Sequence, residues 1–398
     1  MKTLLVLAAG PLQLSAVTTA KRLGLRVVAA DGSAEAPGMA LADKAYVIDI
    51  RDPEACLAVA RKEQIDGVIH ICSEVAMLSM GRINEELHLA GIDAATAIRA
   101  TNKAEMRKAF ERFGTPSPRA IAVQSAAEAQ AAARQIGYPV IVKPGRNSGS
   151  RGITKLSGDE GADALASAFD YAFHESRDPV VLVEEFVDGP EFSIEILVWN
   201  GRPRVLTVTD KETTGAPHFV ETGHSEPTQQ PAEARAAIEG AAVAGVKALG
   251  IDWAAAHAEV RLSSRGPVLM EIGARLGGDF ITTELVPRSS GIDMVAGAIR
   301  LALGEEPDLT PQHEPRGAAI RYLRHRPGRI TAVTGTDEAR RMVGVAIVEV
   351  YHEVGEVLPE VTSSLTRAGH VIAEGRDAQE AIARAEAARD MIQIVTRA

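Results

Sequence analysis

The 398 residues of this chain exceed what one ordinary hydrophobic core holds, so we expect two to four domains. Hydrophobic residues make up 46% and charged residues 24%, as in soluble globular proteins, and the net charge of −10 argues against a nucleic-acid-binding surface. Two cysteines, Cys56 and Cys72, cannot build a disulfide framework, and no stretch approaches the ~20 apolar residues of a membrane span, so we expect a cytoplasmic protein without membrane partners.

The first hundred residues alternate short apolar runs with helical sequence. We expect the apolar start to be a buried strand rather than a signal peptide, because it is short and leads into charged helical sequence. This alternation predicts a parallel sheet covered by helices on both faces. The predicted strands and helices are strands at 3–8, 26–30, 47–50 and 67–71, and helices near 12–23 and 53–63.

The turn after the first strand does not favour dinucleotide binding. It offers only Gly10 where that fingerprint needs three glycines, although Asp31 imitates its ribose-binding acid. A dehydrogenase is therefore disfavoured, and we interpret this region as a Rossmann-like scaffold.

A lysine-bearing strand and a glycine-rich loop follow a helical segment that Thr101 is predicted to cap. The strand YPVIVKP carries Lys143, and a buried ammonium group needs an anionic partner. Small residues in the next loop expose backbone N–H groups of the kind that cradle phosphates, while a plain hairpin turn is the alternative. These loop residues are Ser148, Gly149, Ser150 and Gly152.

An acidic strand end follows as a candidate hinge for a flat base. Glu184, Glu185, Phe186 and Val187 lead into an Asp-Gly turn, after which Glu191 is placed to hold a ribose or a cation. An acidic hairpin turn remains the alternative interpretation of this segment.

The stretch from Val268 to Asp279 combines two kinds of ligand. Glu271 ends a strand-like run, and Glu259 lies on another run upstream. Carboxylates on neighbouring strands can hold Mg²⁺, since hard cations take oxygen ligands. Arg275 can hold a phosphate or carboxylate through two parallel hydrogen bonds, and the glycines after it let the backbone approach an anion. Together these features indicate nucleotide chemistry.

Four segments in this order resemble the ATP-grasp superfamily of ligases. Within that superfamily the chain is similar to the bacterial L-amino-acid ligases, which are dipeptide synthetases. The four segments are TNKAEMR, VIVKPGRNSGSRGI, EEFVDGPEFSIE and EIGARLGGD, and the narrower likeness rests on TDKETTGAPHFVETGHSEP, GDFITTELVPRSSGID and the tail.

The resemblance implies roles for individual residues. Arg275 would stabilise the transferred phosphoryl group, and His257 would lie beside the metal carboxylates or else pack as a core histidine. Mg²⁺, for which Mn²⁺ can substitute, would bind Glu259 and Glu271. The ATP-binding residues would be Lys103 and Lys143 for the α- and β-phosphates, the Ser148–Gly152 loop as part of a mobile lid, Glu184, Glu185, Phe186 and Val187 for adenine, and Glu191 for ribose.

The implied fold is a multi-domain α/β ATP-grasp fold. Its predicted parts are a Rossmann-like domain (1–100), a linker helix with the lid (101–190), a catalytic domain (191–310) and a C-terminal α+β subdomain (311–398). One departure concerns Gly273, where superfamily members often carry a metal-binding asparagine. Water or Asp279 would then complete the metal site.

The implied activity is ATP-dependent formation of an amide or peptide bond through an acyl-phosphate. The alternatives are a carboxylase or ribonucleotide ligase of the purine-synthesis type, and an inactive nucleotide-binding module. We expect small-molecule substrates and a homodimer, the commonest assembly. The candidate substrate-binding residues are Glu221 for an ammonium group, Arg275 or Arg288 for a carboxylate, Glu74 at the end of a parallel strand, and also Lys211, His224 and Gly278.

Overall fold

The computed structural model describes residues 1–147, 151–216 and 218–397, and no helix in these ranges is long and apolar enough to cross a membrane. The strands are β1 (Thr3–Leu7), β2 (Arg26–Asp31), β3 (Lys44–Val47), β4 (Gly67–Ile69), β5 (Ala120–Val123), β6 (Val140–Pro144), β7 (Thr154–Leu156), β8 (Val181–Glu185), β9 (Glu191–Trp199), β10 (Arg202–Thr213), β11 (Glu221–Glu226), β12 (Ala254–Ser263), β13 (Gly266–Gly273), β14 (Gly317–Tyr322), β15 (Gly328–Thr334), β16 (Val345–Val350), β17 (Val357–Leu358), β18 (Gly369–Gly375) and β19 (Gln393–Arg397). The helices are α1 (Leu14–Arg22), α2 (Pro53–Glu63), α3 (Met77–Leu87), α4 (Ala94–Thr101), α5 (Lys103–Arg112), α6 (Ala126–Ile136), α7 (Ala162–Glu175), α8 (Ala232–Leu249), α9 (Val286–Ser290), α10 (Met294–Ala302), α11 (Thr336–Arg340) and α12 (Ala378–Met391).

The N-terminal sheet is parallel, in the order β3-β2-β1-β4. All five residues of β1 are buried, so the interpretation of the apolar start as a core strand is confirmed. The carboxylate of Asp31 accepts hydrogen bonds from the backbone N–H groups of Ala9 (2.8 Å) and Ser33 (2.8 Å). This acid therefore stabilises the turn after β1, in keeping with a scaffold domain.

Two local predictions were wrong at helix starts. The third strand ends at Val47 instead of spanning 47–50, because Asp49 accepts a hydrogen bond from the Arg51 backbone N–H and Asp52 caps α2. Likewise Asn102, not Thr101, caps α5, since its side chain accepts from the backbone N–H groups two and three residues on.

Residues 120–185 form a four-stranded antiparallel sheet in the order β5-β8-β6-β7. Helices α6 and α7 pack on it and enclose a small core of their own, which includes Val142, Phe169 and Val183. The alanine-rich sequence over 126–136, followed by Gly137, predicts a helix, and α6 confirms it. This sheet carries Lys143 and Glu184 on adjacent strands.

An eight-stranded sheet forms the centre of the molecule, in the order β13-β12-β9-β10-β11-β14-β18-β16. Strands on both sides of the predicted boundary near residue 310 therefore share one sheet. A third, small sheet of order β17-β15-β19 lies in the last part of the chain. The alanine-rich sequence over about 377–393 predicts a final helix, which α12 confirms, while β19 was not predicted because it follows that helix almost at once.

Candidate functional site

The two candidate metal ligands lie directly opposite each other. Glu259 on β12 and Glu271 on β13 are register partners. Each accepts a charge-assisted hydrogen bond from a lysine, with 2.9 Å from Lys211 Nζ to Glu259 Oε1 and 2.9 Å from Lys103 Nζ to Glu271 Oε1. Carboxylates placed opposite one another repel, so a positive charge is needed between them. The predicted juxtaposition of these two acids is present, and lysine ammonium groups hold the positive charge there.

The two carboxylates of Glu259 and Glu271 fit a divalent cation that takes its remaining ligands from a bound phosphate and from water. Among the described residues there is no group of three or more histidine, cysteine or acidic side chains placed to bind a metal. Two carboxylates supply part of a Mg²⁺ shell, and phosphate oxygens and water are the usual remaining ligands. Asp279, suggested as a substitute for the missing asparagine, accepts hydrogen bonds from Arg367 at both of its oxygens, at 2.7 and 2.8 Å, and its place in a metal site stays a prediction.

A buried ion-pair group lies beside this acidic pair. Lys143 Nζ is 2.6 Å from Glu184 Oε2, and Arg107 Nε is 2.9 Å from Glu184 Oε1. All three side chains are almost completely buried. Burial lowers the pKa of Lys143, and the neighbouring Glu184 carboxylate opposes this shift. The prediction that Lys143 needs an anionic partner is confirmed, and that partner is the acid expected near adenine.

The candidate base-binding segment closes the other side of the cleft. Phe186 and Val187 line it, and the Lys155 ammonium group lies 3.7 Å from the Phe186 ring centroid. Glu191 binds Lys211 (2.6 Å) and Arg261 (2.9 Å), so its carboxylate already carries two cationic partners. The predicted hinge thus borders the same cleft as the two candidate metal carboxylates.

Glu185 also borders the cleft, where it pairs with Arg119 and Arg265 at the outer edge. Of the predicted phosphate loop, Ser148, Gly149 and Ser150 lie outside the described residues. Gly152 has a φ of +75°, and a Cβ there would come within 2.6 Å of the Pro144 ring, so this position requires glycine.

Arg275 joins the cleft to the N-terminal domain. Its guanidinium donates to the Glu74 carboxylate, with 2.9 Å from Nε to Oε1, and Glu74 lies shortly after β4. Burial disfavours the charged form of Arg275, but Glu74 more than offsets this and raises its pKa. The second oxygen of Glu74 is buried and has no hydrogen-bond partner among the described residues. Arg275 and Glu74 therefore both line the cleft as predicted, and Glu74 Oε2 can still accept a hydrogen bond.

His257 lies between two acids. Its Nδ1 is 2.5 Å from Glu195 Oε1 and its Nε2 is 3.7 Å from Glu259 Oε1. Burial opposes the charged form, but the Glu195 carboxylate outweighs it and raises the pKa of His257 to about 9. Gly277 packs against this pair, because a Cβ there would come within 2.6 Å of His257 Nδ1. The imidazolium is therefore a fixed positive charge at neutral pH rather than a general base.

Three predicted substrate-binding residues do not line the cleft. His224 is buried 3.3 Å from Asp279, and Gly278 packs against the Cys72 backbone carbonyl. Arg288, predicted as an alternative carboxylate-binding cation, pairs with Glu284 one helical turn away and with Glu374. Glu221 does line the cleft, and its carboxylate accepts a hydrogen bond from Ser364 Oγ (3.0 Å).

Several residues of the site were not predicted, and two of them had a signal in the sequence. Arg107 lies four residues after Lys103 on one helix, so the two share a face. Arg261 lies two residues after Glu259 on a strand, so it points to the same side of the sheet. Glu195, Ser364 and Arg367 contact the site only through the tertiary fold.

A buried glutamate at the end of β11 predicts that the free energy of unfolding depends on pH. Glu226 accepts hydrogen bonds from Thr209 Oγ1 (2.8 Å) and Ser289 Oγ (2.6 Å), and burial raises its pKa from 4.5 to about 8. The folded state therefore binds one proton more than the unfolded state between these values, and the free energy of unfolding falls as pH rises through this window, by about 1.4 kcal/mol per unit. Glu226→Gln should flatten this profile in denaturant unfolding measured from pH 5 to 8.5.

The exposed acid Glu233 supplies the control for that experiment, because it lies on the surface of α8. Glu233→Gln should keep the wild-type slope. A Glu226→Gln profile as steep as that of the wild type would show that this carboxyl group does not carry the extra proton.

Comparisons with known proteins agree with this geometry. Residues 136–284 match the ATP-grasp domain model, and residues 321–397 match the model of L-amino acid ligase C-terminal domain 2. Uncharacterized protein y4rH of Sinorhizobium fredii is 31% identical over 74% of this chain and 61% of its own length. A formate-dependent phosphoribosylglycinamide formyltransferase of Synechococcus sp. RCC307 is 33% identical over 67% of this chain and 69% of that protein.

The crystal structure of an L-amino acid ligase from Bacillus licheniformis superposes with a TM-score of 0.85 at 25% identity, covering 100% of this chain and 99% of the other. The chain spans about half the length of several other formyltransferases that it matches. The predicted α/β ATP-grasp fold is thus confirmed. The chain belongs to the ATP-grasp family of ligases, with the C-terminal domain of L-amino acid ligases.

Proposed function

We propose that this protein is an ATP-dependent carboxylate–amine ligase that joins amino acids and releases ADP and phosphate. One observation carries the proposal: Glu221 lines the same cleft as Arg275 and the metal carboxylates, yet it forms no ion pair with a described residue. Every other carboxylate that lines this cleft is paired with a cationic side chain. An unpaired acid of this kind suits the ammonium group of an amino acid.

The first chemical step would use the cationic side of the cleft. The substrate carboxylate attacks the γ-phosphorus of ATP, the bond to the β-phosphate oxygen breaks, and an acyl-phosphate and ADP form. Lys103 and Lys143 would leave their carboxylate partners to bind phosphates, and Arg275 would stabilise the transferred group. Catalysis of this step is largely positioning and charge neutralisation.

Glu259 and Glu271 would hold Mg²⁺ or Mn²⁺ when nucleotide binds, and the metal ion would neutralise phosphate charge. In the second step a free amine attacks the acyl carbon and expels phosphate. Glu74, whose second oxygen has no partner among the described residues, would accept a hydrogen bond from this amine. His257, held charged by Glu195, adds positive charge close to Glu259.

Phosphate release tests the proposal directly. The protein is incubated with ATP, Mg²⁺ and the twenty amino acids, singly and in pairs, and phosphate is measured against an ATP-only control. We expect release to depend on an amino acid and to be greatest with a productive pair, whose dipeptide is then identified by mass spectrometry. Release that ignores every amino acid would contradict the proposal.

A ribonucleotide substrate is the second candidate, because several relatives are named formate-dependent phosphoribosylglycinamide formyltransferases. A phosphorylated sugar needs cationic side chains that remain free for its phosphate. The cations described in the cleft are already paired, and most would be needed for the triphosphate of ATP. The same assay with glycinamide ribonucleotide and formate separates the two candidates, since phosphate release with these substrates alone would favour the second.

A further inference from the structure

A short turn from the C-terminal part of the chain reaches the cleft. We call residues 363–367 the C-terminal turn. Ser363 and Thr366 cap its single 3₁₀ turn reciprocally, and the Arg367 Nε donates to the Ser364 backbone carbonyl (3.0 Å). Leu365 at its tip is 83% exposed. Hydrogen bonds within the turn thus stabilise its conformation, while the side chain at its tip is left to solvent.

The C-terminal turn makes two polar contacts with the catalytic sheet region. Ser364 Oγ donates to Glu221 Oε2 at 3.0 Å, on the strand that borders the cleft. Arg367 forms two parallel hydrogen bonds with Asp279, and its guanidinium lies 3.6 Å from the Tyr322 ring centroid. The guanidinium–carboxylate fork is a geometry that a lysine cannot reproduce.

The Asp279 contact bears on Arg275 through a strained backbone. Asp279 and Phe280 both have left-handed conformations, with φ values of 52° and 61°. Such conformations in residues other than glycine persist only where the surroundings hold them. Arg367 provides that restraint by binding Asp279, which lies four residues after Arg275. The C-terminal turn therefore restrains Glu221 at one end of the proposed substrate site. It also restrains the segment that follows Arg275 at the other end.

We propose that the C-terminal turn positions the site for the carboxylate-donating amino acid. Ser364 orients Glu221 toward the ammonium group, and Arg367 fixes the segment that presents Arg275 to the carboxylate as it accepts the phosphoryl group. The donor rather than the acceptor is the substrate concerned, because its ammonium stays charged while the acceptor amine must lose a proton to attack. This inference rests on the proposed function and adds to it that selection of an α-amino acid depends on the C-terminal domain.

Ser364→Ala is the variant that tests this positioning role. The variant removes the hydrogen bond from Ser364 to the charged Glu221. Loss of such a bond should raise KM for the donor amino acid by roughly 3- to 30-fold. KM for ATP should stay at the wild-type value. The preference for the donor over its analogue without the amino group should fall by the same factor, since only the amino acid uses Glu221. Ser364→Thr, which keeps the hydroxyl, should restore both.

Leu365→Ala serves as the matched control, because its side chain lies on the same turn and is largely exposed to solvent. Arg367→Lys should raise the donor KM as well, with circular dichroism confirming the fold. If wild-type phosphate release depends on amino acids but Ser364→Ala leaves the donor KM and analogue preference unchanged, the inference fails and the proposed function stands. An equal rise in KM for ATP would also overturn it. If no amino acid stimulates the wild type, both fail.

Discussion

Glu271→Ala should abolish ligation while leaving the fold intact. The variant removes one of the two carboxylates that face each other across β12 and β13, so only Glu259 would remain to hold the proposed Mg²⁺ against the phosphates. Loss of a single group that stabilises transition-state charge typically costs ~10²–10³ in rate. Because the same carboxylate binds Lys103, the variant also releases that ammonium group. We therefore expect kcat to fall by at least this factor.

The Glu271 experiment needs a readout besides turnover. Binding of Mn²⁺ in the presence of ATP, followed by electron paramagnetic resonance, should weaken in parallel with kcat. Glu305→Ala is the control, since Glu305 forms an exposed pair with Lys2 at 2.8 Å and such pairs contribute little to stability. An active Glu271→Ala enzyme with a normal Mg²⁺ dependence would contradict the assignment of this acid to the metal.

The elements of the site that follow strand periodicity were predictable from sequence. Glu259 and Glu271 end or interrupt apolar runs, so both were expected on adjacent strands, and they are register partners. Lys143 stands out because a lysine in an apolar strand requires an acid, although no local pattern selects Glu184 among the available carboxylates. Local patterns thus identify which side chains are unusual, and tertiary packing decides their partners.

Contacts across long chain separations were not predictable. Arg367 lies 88 residues after Asp279, and nothing in the TRAG segment distinguishes it from the other arginines of the tail. Arg288 shows the converse case, because the sequence marks this helical arginine near a conspicuous loop as a substrate ligand, while in the fold it pairs with a glutamate one turn away. Charge pairing within four residues is visible in a sequence, and it should be weighed before a functional role is assigned.

Arg275→Ala should lower kcat as strongly as the loss of Glu271, but for a different reason. The guanidinium is the cation that links Glu74 of the N-terminal domain to the cleft, and two parallel N–H donors fit the oxygens of a transferring phosphoryl group. We expect a loss of ~10²–10³ in kcat, the size found when one preorganised donor is removed. Arg275→Lys should recover only a small part of it, since a lysine keeps the charge and loses the fork.

The alternative for Arg275 is that it merely anchors Glu74, whose buried carboxylate would otherwise be uncompensated. Glu74→Gln distinguishes the two, because it removes the charge that needs an anchor and keeps the arginine. If Arg275 acts on the phosphoryl group, Glu74→Gln should retain most of kcat and alter mainly KM for the amine. Arg265→Ala, which removes an exposed arginine paired with Glu185, controls for loss of positive charge. A Glu74→Gln enzyme as inactive as Arg275→Ala, with both proteins folded, would assign the arginine to anchoring instead of catalysis.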